Sequence, residues 1–141
     1  MSRVTAESLD PSTLGPHSAI ISICDRETNP ANIPDGFGHV LRCFFKFVDG
    51  SFRRIGDGGP TDAQSREIAE FLHMLHSAPE EYALIVHCGE GMYRSVAVCC
   101  FCEFEFDADS IHTNKEVRDP MGSVSLWKDI ANAFDDLGRA A

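Results

Sequence analysis

Apolar residues fall along the chain in short runs and in longer, helically spaced stretches, and the two patterns predict different elements. Ser18 to Cys24, Val40 to Phe47 and Tyr82 to Cys88 are short apolar runs. A loop rich in Pro, Gly and Asn at residues 25 to 39 divides the first two, and Pro79 with the Glu80-Glu81 pair bounds the third, so all three read as strands. Thr61 to Ser77 sets Ile68, Phe71, Leu72 and Leu75 at helical spacing, with Thr61 and Gln64 placed as a capping box. Val96 to Phe106 is an apolar stretch of helix length. Beyond Pro120 and Gly122, Trp127, Ile130, Ala131, Phe134 and Leu137 recur as one face of a last amphipathic helix. This order implies an α/β fold, a mainly parallel sheet flanked by helices, with ligands at the carboxyl ends of the strands. With no repeat or low-complexity tract, the chain reads as a single domain over residues 1–141, with 1–16 and 138–141 expected to fray.

Length and composition narrow the function. A chain of 141 residues with 43% hydrophobic content suits one core and is short for two. A net charge of −10 argues against nucleic acid and against acidic membrane surfaces as partners, since both are polyanions. Residues 1 to 16 lack an apolar signal core, and no stretch reaches the roughly 18 apolar residues of a membrane span. A cytoplasmic location without membrane attachment is therefore expected. The six cysteines fall mostly within predicted strands and the central helix, away from the loop spacings of a secreted scaffold, which implies a reducing compartment. Cys99 and Cys102 form a C-x-x-C, and His73 and His76 lie three apart on a helix. Neither has the further ligands of a metal site, so both pairs read as packing and no metal or cofactor is expected.

The candidate chemistry lies in Ile85-Val-His-Cys-Gly-Glu-Gly-Met-Tyr-Arg-Ser95. The segment joins a predicted strand to a helix N-terminus, where unpaired N–H groups and the helix dipole favour an anion. Gly89 and Gly91 allow successive amides to turn toward one centre, and the Arg94 guanidinium can grip two oxygens of a phosphate. A thiol in that field loses its proton readily, so Cys88 is expected to be a thiolate at neutral pH, placed to attack phosphorus.

His87-Cys88, Gly91 and Arg94-Ser95 together resemble the HCxxGxxRS signature of the cysteine-based protein tyrosine and dual-specificity phosphatases. The resemblance implies a phosphotyrosine-phosphatase-like fold and a phosphocysteine formed on Cys88. Arg94 would hold the phosphoryl oxygens, and the Ser95 hydroxyl would help the thiolate leave. His87 would orient the loop and tune Cys88, with Gly89, Glu90, Gly91, Met92 and Tyr93 completing the phosphate cradle. The family takes its leaving-group proton from an Asp on a loop. Where small microbial members carry an acidic pair, this chain reads Lys46-Phe47-Val48-Asp49. Asp57, in Gly56-Asp57-Gly58-Gly59, precedes Cys88 at a separation similar to that in dual-specificity phosphatases and is the first choice for the acid, with Asp49 the second.

The implied partner is a phosphoprotein, phosphotyrosine first, or a small phosphomonoester, since the loop contains Glu90 and no basic residue before Arg94. Two other functions use similar parts. One is a phosphate-binding pseudophosphatase without turnover. The other is an oxyanion enzyme of the rhodanese or arsenate reductase kind, whose motifs usually lack the combined His87, Gly91 and Ser95.

Overall fold

A computed structural model describes residues 1–46, 59–109, 111 and 124–140. Among these residues the sheet has three parallel strands, β1 (Ser18–Cys24), β2 (His39–Phe44) and β3 (Ala83–His87), in the order β2-β1-β3. β1 lies between two neighbours and is buried at every residue, which is why it reads as an uninterrupted apolar run. Among the described residues β2 is an edge strand, and its alternation leaves Val40 46% exposed while Cys43 is buried. It ends at Phe44, short of the predicted Phe47. The sheet register sets Ser22 of β1 beside His87 of β3 and Cys24 beside Phe44, so the carboxyl ends of all three strands open at one edge.

Four α-helices complete the described chain: α1 (Arg3–Glu7), α2 (Asp62–Ser77), α3 (Arg94–Phe106) and α4 (Val124–Ala140). The N-terminus of α2 follows its sequence closely. Thr61 is the N-cap, its side chain accepts from the Gln64 amide, and Gln64 Oε1 accepts from the Thr61 amide at 2.9 Å. Ile68 and Leu72 of α2, Val98 and Phe101 of α3, and Leu126 and Ile130 of α4 join Ile21 and Ile23 of β1 in one buried cluster. α3 is apolar on most sides because it lies between the sheet and α4. Phe101 meets Phe106 and Phe134 edge-on at centroid distances of 6.0 and 5.5 Å.

The two histidines of α2 are part of this packing. His73 lies edge-on to Phe134 at 5.9 Å, and His76 stacks on Phe106 at 4.3 Å. Residues 1–16, expected to fray, contain α1 and a 3-10 turn at Pro11–Leu14, and the helix of residues 124–140 runs past the predicted limit at Leu137. Backbone pairing of the first three residues with the segment after β3 ties the N-terminal stretch down. No amphipathic pattern announces that kind of contact.

Replacing Phe101 by Ala removes the ring that joins α3 to α4, and should cost about 3–5 kcal/mol. Urea unfolding of Phe101→Ala measures it, and a loss under about 1 kcal/mol would contradict this packing.

Candidate active site

β3 delivers His87 and Cys88 to the carboxyl edge of the sheet, and six residues later α3 begins at Arg94. A turn that tight needs a residue with positive φ, which Gly91 supplies at +75°. A Cβ on Gly91 would also lie 2.5 Å from the Met1 carbonyl carbon and 2.7 Å from the Ser2 nitrogen. Glycine is thus required twice at this position, by conformation and by close approach. The loop returns so that Ser95 Oγ stands 3.3 Å from Cys88 Sγ. No side chain caps α3 at Tyr93, so the helix N-terminus faces the loop with its backbone donors.

Below the loop, a buried polar relay fixes His87. Its Nδ1 lies 3.2 Å from the Cys88 carbonyl, which only accepts, so Nδ1 carries the proton. Nε2 is then the acceptor for the Ser22 hydroxyl at 2.6 Å, and Ser22 Oγ in turn lies 3.8 Å from Cys24 Sγ. This explains a serine in the middle of the fully buried β1. Burial lowers the His87 pKa, which keeps the ring neutral and suits it to holding the Cys88 carbonyl.

The chain start forms a second support. Met1 donates its amino group to the Val86 carbonyl at 2.8 Å, and the Cys88 amide donates to the Met1 carbonyl at 3.2 Å. The Arg3 amide donates to the Gly89 carbonyl at 3.0 Å, so residues 1–3 run alongside the end of β3. The Arg3 guanidinium then holds the Asn29 and Pro30 carbonyls at 2.7 and 3.0 Å, and Glu7 accepts from the Asn32 amide. The β1–β2 connection is therefore tied to the same N-terminal segment that backs the loop.

Burial pushes the Cys88 thiol up. The Ser95 hydroxyl and amide, the Arg94 charge and the Gly91 amide pull it down, and they prevail, leaving its pKa below the ordinary thiol value. Elsewhere burial prevails: Cys43 is pushed up to about 12, Cys99 to about 11 and Cys102 to about 12. The Cys99-x-x-Cys102 pair thus holds protonated thiols, and both line a cavity of about 500 Å³ with Leu72, Leu75, Leu84 and Phe106. That cavity lies between α2, β3 and α3, away from Cys88 and Arg94, and does not include the loop from Cys88 to Ser95.

Arg94 is 9% exposed, and its Nη1 is held by two acceptors, Asp25 Oδ1 at 2.6 Å and the Phe45 carbonyl at 2.7 Å. Asp25 and Phe45 each directly follow the paired residues Cys24 and Phe44 at the ends of β1 and β2. The Arg94 charge is thus partly neutralised by Asp25. A sequence scan for carboxylates near Cys88 passes over Asp25 because only the sheet register brings it there. Gly89, Glu90 and Tyr93 are exposed, Met92 is half-buried, and His87 and Gly91 are buried. Cys88, Ser95, Arg94 and His87 converge, whereas Asp57 and Asp49 lie outside the described residues.

No family model matches the chain, and no curated protein matches it. Among solved structures it is similar to the crystal structure of human DUSP28, a dual-specificity phosphatase, with a TM-score of 0.56 at 14% identity over 100% of this chain and 93% of that one. The likeness is one of fold: a small parallel sheet flanked by helices, as in the dual-specificity phosphatases. Among the described residues no helix is long and apolar enough to cross a membrane.

Gly91→Ala should displace the loop from Met1 and Ser2, lowering the melting temperature and weakening vanadate binding at least tenfold; unchanged values would contradict the close approach. Alkylation of Cys88 by iodoacetamide should inflect at lower pH than that of an ordinary thiol, and the inflection should rise in Ser95→Ala. A thiol whose folded pKa lies below its unfolded value adds stability above the unfolded pKa, and loses that contribution as the pH falls through the folded one. The stability advantage of wild type over Cys88→Ser should therefore shrink as the pH is lowered from about 9, and a constant difference would contradict the shift.

Proposed function

We propose that the chain is a cysteine-dependent phosphomonoester hydrolase of the protein tyrosine or dual-specificity phosphatase kind, working through a phosphocysteine. One observation carries the reading: Cys88 Sγ stands 3.3 Å from Ser95 Oγ, with its pKa lowered, in a loop that runs into the N-terminus of α3. The fold shared with a dual-specificity phosphatase supports it.

In the proposed reaction the Cys88 thiolate attacks phosphorus, the S–P bond forms and the P–O bond to the alcohol or phenol breaks. Loop amides and Arg94 stabilise charge on the equatorial oxygens. Asp57, or failing it Asp49, gives a proton to the departing oxygen. Water then attacks the phosphocysteine, its proton returns to the same carboxylate, and the thiolate leaves as the Ser95 hydroxyl donates to the sulfur. His87 takes no proton; it holds the Cys88 carbonyl. The substrate is a phosphoprotein, phosphotyrosine first, or a small phosphomonoester, and the site of action is the cytoplasm. A second reading, a phosphate-binding protein without turnover, is favoured by Lys46-Phe47-Val48-Asp49 standing where small microbial members carry an acidic pair, and by Tyr93 beside Arg94.

Reduced protein should hydrolyse para-nitrophenyl phosphate with vanadate inhibition. Cys88→Ser should abolish turnover and Arg94→Ala should lower it by about 10²–10³, the usual cost of one oxyanion donor. Asp57→Asn should slow phosphotyrosine hydrolysis by about 10²–10⁴ while sparing esters with good leaving groups. Vanadate binding without turnover would establish the second reading.

A further inference from the structure

A guanidinium has two unlike edges. Nη1 lies on the side of Cδ, whereas Nε–H and one Nη2–H point together and form the fork that matches two oxygens of a tetrahedral oxyanion. In Arg94 both hydrogens of Nη1 have acceptors, Asp25 Oδ1 at 2.6 Å and the Phe45 carbonyl at 2.7 Å. The Nη2 end lies over the loop, since a Cβ on Gly89 would come within 3.4 Å of it. The two acceptors come from the ends of adjacent strands in one sheet, so their separation is set by the β1–β2 register. Asp25 is further steadied through its own connection, which Arg3 and Arg42 hold by its Asn29, Pro30 and Ala31 carbonyls.

We propose that Asp25 is a positioning residue for the oxyanion site, saturating Nη1 of Arg94 so that the Nε/Nη2 fork is presented to the phosphoryl group. The contact spans residues 69 apart in sequence and joins the end of β1 to the first residue of α3. A long side chain left free would spread over several rotamers and lose conformational entropy on binding each anion; one already held has less to lose. The carboxylate also has an electrostatic cost, because it stands near the dianion that Arg94 is to hold. The Asp25 side chain is 41% exposed, so water screens that repulsion while the contact to Nη1 keeps its geometry.

This inference rests on the oxyanion-site reading above, and its test has a readout that needs no turnover. Vanadate affinity is measured from the shift in melting temperature for wild type, Asp25→Ala, Asp25→Asn and Arg94→Ala. Asp25→Ala should bind vanadate about tenfold more weakly, and Asp25→Asn, which keeps an acceptor for Nη1, should recover most of that loss. Tighter binding in both variants would show that Asp25 competes with the anion, and unchanged binding in Asp25→Ala would show that Arg94 needs no support; either overturns the proposal. If Asp25→Asn fails on phenolic phosphoesters but not on esters with good leaving groups, Asp25 is the acid and the positioning role is overturned. If wild type binds no vanadate, the hydrolase reading fails by itself. The rate of Cys88 alkylation at pH 6.5 then decides: a several-fold drop in Asp25→Ala, matching Arg94→Ala, sustains the positioning role, and an increase or no change overturns it.

Discussion

Parallel pairing of three strands brings three carboxyl ends to one edge, and the polar arrangement at the site follows from that constraint. One register step places Ser22 beside His87, so a buried hydroxyl meets a buried imidazole. Three residues beyond Ser22, just past the ends of β1 and β2, Asp25 and Phe45 stand together and share Arg94. The loop from Cys88 to Ser95 is thus fixed from below by His87 and from beside by the strand ends. Its own residues supply the turn and the donors. A one-residue slip would point Ser22 to the opposite face and separate it from His87.

Much of this frame is legible in the sequence, for identifiable reasons. Thr61 and Gln64 form a reciprocal local bond, so a capping box written in the sequence is found in the fold. β1 and β3 are short apolar runs because they are largely covered, and the helix after Arg94 is apolar because it has neighbours on both sides. The motif from His87 to Ser95 places thiol, hydroxyl and guanidinium by local spacing, and these do converge. What escaped reading depends on long-range contacts. Met1 to Arg3 bind the loop through backbone atoms, which leave no mark in side-chain pattern. Asp25 belongs to a connection that looks like any polar loop, and only the sheet register brings it to Arg94.

The thiols show how position decides chemistry. At Cys43, Cys99 and Cys102 burial is the largest influence, reinforced by a nearby carboxylate, Glu67 at Cys43 and Glu103 at the other two, and their protons are held tightly. Cys88 is just as buried, yet it faces a hydroxyl, two amides and a guanidinium, and together these outweigh desolvation. The glycine that permits the turn is also where the chain start packs, so the loop's shape and its support meet at Gly91. Neither the C-x-x-C nor the 500 Å³ cavity it lines shares these features, which is why the proposal places the nucleophile at Cys88.

The central claim is that Cys88 becomes covalently phosphorylated during turnover. The most direct measurement is acid quenching of the protein during hydrolysis of a phosphomonoester, followed by mass spectrometry of the peptide that contains Cys88. The account predicts a phosphoryl adduct on that cysteine that accumulates further in Ser95→Ala, where departure of the thiolate is slowed. Turnover with no adduct on Cys88, or turnover that persists in Cys88→Ser, would contradict it.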